Sequence, residues 1–135
     1  MANDGTSEFP PALTGQPLAI LRAEGLALFA ASLFAYSQLD GSWLLLAALF
    51  LAPDLLMLGY LANPRVGAAL YNVAHTTILP LMTAVGAVLM GSTLALSLSL
   101  IWIAHIGFDR MLGYGLKYPN AFGDTHLGRK QTAAK

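Results

Sequence analysis

Four runs of roughly 20 mostly apolar residues dominate this sequence and leave few folds open to it. They cover residues 18–39, 43–61, 67–90 and 93–113. A bilayer core about 30 Å thick is crossed by a helix of this length. Inside hydrocarbon a segment must satisfy its own backbone polar groups, so each run is predicted to be a helix. The strict alternation of a membrane β-barrel is absent. Composition agrees: 10% of residues are charged and 56% hydrophobic, where a soluble domain carries about 25% charge. The expected fold is all-α, an integral membrane four-helix bundle.

The breaks between runs have turn chemistry. Asp40-Gly41-Ser42, Asn63-Pro64-Arg65 and Gly91-Ser92 each read as a tight helix-helix connection, with Pro64 placed to open the third helix. Pro53 and Pro80 fall inside the second and third runs and predict kinks near them. Residues 1–16, with Gly5, Pro10, Pro11 and Gly15, read as a flexible leader without the charge pattern of a secretory signal. Residues 17–118 form the predicted membrane domain and 119–135 a polar tail, in which Asp124 and His126 are expected to be solvated.

Basic residues set the expected orientation. Arg22, Arg65, Arg110, Lys117, Arg129 and Lys130 gather at one end of the bundle, and the first and third loops carry none. The positive-inside rule places both termini in the cytoplasm, as for a multi-pass protein of a cell inner or plasma membrane. Tyr60, Tyr71, Tyr114 and Tyr118 are then expected in an inner aromatic belt, with Tyr36 and Trp43 near the outer face.

Ionisable side chains inside a membrane are costly and functional by default. Glu24, Asp54, His75, His105 and Asp109 all fall about 6–12 Å from the inner ends of their runs, and all four helices contribute. Glu24 lines up with Ala27, Ala31 and Ala35, a small-residue stripe that predicts a close helix contact. His75 shares a predicted face with Ala68, Asn72, Leu79, Met82 and Gly86, and Trp102, His105 and Asp109 share another. These faces converge on one predicted polar pocket open toward the cytoplasm.

Several segments carry a resemblance. They are Phe50-Leu51-Ala52-Pro53-Asp54-Leu55, Met57-Leu58-Gly59-Tyr60, Tyr71-Asn72-Val73-Ala74-His75-Thr76, and Ala104-His105-Ile106-Gly107-Phe108-Asp109-Arg110. Gly113-Tyr114-Gly115-Leu116-Lys117-Tyr118-Pro119 and Asp124-Thr125-His126-Leu127-Gly128 complete the set. Together they resemble the bacterial domain-of-unknown-function 4260 family over nearly the whole chain. The resemblance implies a small multi-pass membrane protein and brings no catalytic assignment.

The residues themselves support three functional readings. The first is acid-base catalysis, of isomerase or cyclase type, on a lipophilic small molecule, which requires no cofactor. Asp54 would be the acid, His75 or His105 the base or relay, and Glu24 second in line. Asn72, Trp102, Asp109 and Tyr60 are candidate binding residues, although Asp109 serves equally as a salt-bridge partner for Arg22 or Arg110. The second reading has His75 and His105, with Asp54 and Glu24, hold a divalent metal or haem. The third is a transporter or accessory protein, with the small-residue stripe available for a homo-oligomer. The bilayer is the expected partner in all three. A net charge of zero gives no basic patch for nucleic acid, and the absence of cysteine excludes thiolate chemistry.

Overall fold

A computed structural model describes residues 14–116, 124–125 and 128–129. Most of the predicted leader and tail, with Tyr118 and His126, lies outside the described residues. Four helical spans are long and apolar enough to cross a membrane: Gly15–Ser37, Trp43–Leu61, Pro64–Met90 and Thr93–Met111. The bundle is turned inside out relative to a soluble protein. Leu61, Leu89 and Met90 are more than 80% exposed, whereas Ser32, His75, Ser97, Ser99 and His105 are buried. This is the build of a multi-pass membrane protein.

The first and fourth spans are continuous helices, α1 (Gly15–Ser37) and, last in the chain, α5 (Thr93–Met111). The middle two are broken. The second joins α2 (Trp43–Leu49) to a 3-10 helix (Ala52–Leu61), and the third joins α3 (Pro64–His75) to α4 (Ile78–Met90). Each connection uses its predicted turn residues. The Ser42, Asn63 and Ser92 side chains accept from the backbone N–H groups of Leu45, Val66 and Ala95, capping α2, α3 and α5. Gly91 ends α4 at φ 65°, the left-handed conformation that glycine adopts without strain. Outside the spans, Asp124–Thr125 pairs antiparallel with Gly128–Arg129.

Helix α5 is the spine, packed on α1 and α4, while the 3-10 helix packs on α3 as a separate hairpin. The Glu24/Ala27/Ala31/Ala35 stripe is not the buried face of α1: its first three residues are exposed and Ala35 is half-buried. Gly25, Ser32 and Tyr36 are the buried residues of α1. A Cβ on Gly107 would stand 2.6 Å from the Phe29 backbone nitrogen, and one on Gly25 2.5 Å from that of Met111. Glycine on both helices brings two backbones closer than alanine permits, so the contact forms there. Gly107→Val is therefore expected to lower the thermal unfolding midpoint by about 5 °C or more. Gly86→Val, whose new Cβ would meet nothing within 4 Å, should leave it in place, and equal losses in both variants would contradict this packing.

Two aromatic expectations are corrected. Tyr36 is 1% exposed, and its hydroxyl donates to the Ser42 carbonyl at 2.6 Å, tying the first turn to α1. Tyr71 is buried against His75. Neither lies in a lipid-facing belt, because each ring has a better partner inside.

Candidate metal centre

The site grows out of the two broken helices. Pro53 has no N–H to donate. The Asp54 N–H bonds the Leu51 carbonyl at 3.0 Å, the tighter spacing of a 3-10 helix. The Phe50 carbonyl is thus passed over by both donors that could have reached it. A 3-10 helix rises about 2 Å per residue, so Asp54 lies about 14 Å from Leu61, deeper than the ordinary helical rise predicts.

The third span breaks at His75. Pro80 offers no N–H to the turn before it, and the Ile78 N–H goes to the Thr76 side chain at 3.4 Å. The break frees two carbonyls, and α5 supplies both donors. Trp102 Nε1 donates to the Ala74 carbonyl, and Arg110 Nη2 donates to that of His75 at 3.3 Å. The break also resets the phase of the helix. Leu79, Met82 and Gly86 do not continue the His75 face as a straight helix would have them do; Met82 is exposed and Gly86 meets open space.

His75 is held from behind. Its Nδ1 bonds the Tyr71 carbonyl at 2.9 Å, and the Tyr71 ring stacks on the imidazole at 3.7 Å. That carbonyl can only accept, so Nδ1 carries a proton, and in the neutral imidazole Nε2 is then the nitrogen with the free lone pair. His105 is wedged edge-on to the Phe50 ring, with its Nδ1 buried and without a hydrogen-bond partner among the described residues.

Four groups then meet. The Nε2 atoms of His75 and His105 are 3.0 Å apart. Asp54 Oδ1 lies 3.3 Å from the first and 3.2 Å from the second; Asp109 Oδ2 lies 3.2 Å and 3.3 Å from them. One ligand atom from each residue falls within 4.8 Å of all the others. The histidine side chains are 3% and 1% exposed, Asp109 17% and Asp54 30%, so the cluster is closed on the imidazole side and most open at Asp54. The 3-10 helix and α3 supply two of the groups and α5 the other two. The cluster therefore sits on the seam between the hairpin and the rest of the bundle.

Of the five groups expected to converge, the structure brings together Asp54, His75, His105 and Asp109 and leaves out Glu24. Glu24 is exposed on α1, on the far side of the buried Gly25 face. Asp109 pairs with the two histidines rather than with Arg22 or Arg110. Arg22 donates to the Met111 carbonyl and Arg110 is taken up by the helix break. Of the predicted binding residues, Trp102 caps that break, and Tyr60 lays its ring over Gly67 inside the hairpin. Asn72 is half-buried on α3, one turn before Thr76, and its backbone carbonyl accepts from the Thr76 N–H. Tyr71 was missed as a support for His75, although its i, i+4 spacing on a helix was visible in the sequence. The two histidines do not suit haem. Axial ligands bind on opposite faces of the macrocycle, and nitrogens 3.0 Å apart leave no room for it.

Beside the cluster lies an apolar cavity of about 280 Å³ between the second, third and fourth spans. Its walls include Pro53, Ala74 and Trp102, neighbours of the clustered groups, but none of those groups lines it. The predicted polar pocket is therefore a compact polar cluster next to an apolar cleft.

A family model described as Domain of unknown function (DUF4260) matches residues 18–130. The match takes in nearly all of the four spans, both broken helices and every residue of the cluster. No curated protein and no solved structure matches the chain. With the family model covering most of its length, the chain belongs to the DUF4260 family.

Proposed function

We propose that this protein binds a divalent transition-metal ion inside the membrane, with Asp54, His75, His105 and Asp109 as ligands. The spacing of the four ligand atoms carries this reading. Metal bonds of about 2.0–2.1 Å in a tetrahedron put neighbouring ligand atoms about 3.3 Å apart. Five of the six separations in the cluster are 3.0–3.3 Å. Two imidazole nitrogens and two carboxylate oxygens this close repel one another when all present lone pairs. A cation among them turns that repulsion into bonding. A divalent ion with two carboxylates and two neutral imidazoles is electrically neutral, which lowers its cost in an apolar interior.

The supporting groups fit as well. Metal-bound histidines commonly donate their second N–H to a carbonyl. Tyr71 provides that carbonyl for His75. Nitrogen and oxygen ligands in equal number suit zinc, iron(II) or manganese. Expansion to a fifth ligand beside Asp54, the most exposed of the four, would give the ion a Lewis-acid role on a bound oxygen.

A second reading rests on the 3.0 Å separation of the Nε2 atoms. Without an ion, the imidazoles would share a proton flanked by two carboxylates, and the cluster would act by acid-base chemistry with that imidazole pair as donor. Elemental analysis of protein purified in detergent under metal-replete conditions separates the two. The metal reading expects about one zinc, iron or manganese per chain, removed by a strong chelator and restored on return of the ion. Background levels of all three, with no binding on titration, would leave only the acid-base reading.

A further inference from the structure

We infer that the apolar cleft seats the hydrocarbon chain of an amphiphile whose oxygen-bearing head is the exchangeable ligand at the metal centre. This rests on the metal reading above and names the substrate class of that site.

Cleft and centre share their walls. Pro53 and Ala74 line the cleft, and the next residues in the chain, Asp54 and His75, belong to the cluster. Ile101 and Trp102 line it from α5, one turn before His105. A chain seated in the cleft therefore lies against the neighbours of the ligands, and a head group extending past Pro53 and Ala74 would reach the cluster. The cavity, about 280 Å³, lies just below the range of small-molecule sites, which starts at about 300 Å³. It suits one hydrocarbon chain better than a bulky ring system. Its remaining walls include Leu49, Leu56 and Leu98, and the last two are exposed on the lipid-facing surface, which gives the cleft a lateral mouth. Within the bilayer that mouth meets acyl chains, so the occupant arrives from the membrane. Asp54, the most exposed ligand, follows Pro53 of the cleft wall in the chain, so it is the ligand beside which the head group would bind.

The test uses full-length protein loaded with Co²⁺ in phosphatidylcholine nanodiscs. The probes are acetohydroxamate and octanohydroxamate, which offer the same metal-binding oxygens on a short and a long chain. Visible absorption of the cobalt ion reports ligation, and partition into protein-free nanodiscs converts each dose to a bilayer concentration. Between lipid and cleft there is no hydrophobic gain, only better packing, so an advantage of about tenfold is expected for the longer chain on that scale. Leu98→Phe and Ala52→Leu, which narrow the cleft, should remove the advantage and leave the cobalt spectrum of the unliganded protein unchanged. Equal half-saturation by the two probes in the native protein would overturn the proposal while leaving the metal centre standing. Failure to take up Co²⁺ at all would remove the metal reading and this inference together.

Discussion

His105→Ala is expected to reduce bound metal from about one ion per chain to background, in protein that still inserts into the membrane. The His105 side chain is 1% exposed, and its Nε2 lies within 3.3 Å of three other ligand atoms. Removing it leaves one imidazole and two carboxylates around a space too large for the ion. Loss of a supporting residue behind a ligand typically weakens a site 10–100-fold, so loss of a buried ligand should cost at least about 100-fold. Stability gives a second readout. At a free ion concentration of about 100 times the dissociation constant, binding stabilises the native protein by about 2.7 kcal/mol. The native chain should therefore unfold several degrees higher with metal than without, and the variant should show no difference. Stoichiometric metal in His105→Ala would take this residue out of the site.

Metal binding is also expected to compete with protons, with a sign fixed by the ligands. Imidazole binds a metal only when the ligating nitrogen is unprotonated, so lowering the pH puts protons where the ion must go. Each proton displaced contributes up to about tenfold in affinity per pH unit. With His75 and His105 both ligating, affinity should fall by up to about 100-fold per unit once both take up protons. Affinity is therefore lost as pH falls and regained as it rises. Asp54→Asn should weaken binding but keep the dependence on pH, because both imidazoles still exchange protons for the ion. Calorimetric titrations in buffers of different ionisation enthalpy count the released protons directly. Affinity independent of pH between about 6 and 8, with no proton release, would place the ion on exposed carboxylates instead.

Both expectations depend on two helix interruptions. Proline in a membrane helix leaves carbonyls unserved, and such backbone is tolerated only where protein or a cavity satisfies it. Here α5 serves the break at His75 through Trp102 and Arg110, and carries His105 and Asp109 on the same helix. The residues that repair the backbone thus also fix the spacing of the ligands. Because the hairpin and the rest of the bundle each contribute two ligands, a bound ion would also join the two parts.

The sequence by itself determined the membrane fold, for a simple physical reason. Length and apolarity are local properties, and the bilayer thickness converts them directly into spans. The expected boundaries at 43, 61, 90 and 93 coincide with the observed helix ends. Cap and turn residues were equally legible, since Ser42, Asn63, Gly91 and Ser92 act on backbone a few residues away. Asp54, His75 and His105 could be singled out because a charge in hydrocarbon needs a reason wherever the chain puts it.

Only the tertiary structure decided which of these residues meet. Helical periodicity placed Glu24 on a face with Ala27 and Ala31, but the approach of Gly25 to α5 turned that face outward. The same periodicity carried the His75 face through to Gly86, and the break after His75 ended it. Asp109 joins the cluster one turn after His105 on the same helix face, while Arg110 donates to the carbonyl freed at His75. A one-dimensional pattern gives each residue a depth and an angle on its own helix. Rotation between helices and the phase lost at a break are set by contacts far apart in the sequence, and four ligand atoms within 4.8 Å of one another are the product of those contacts.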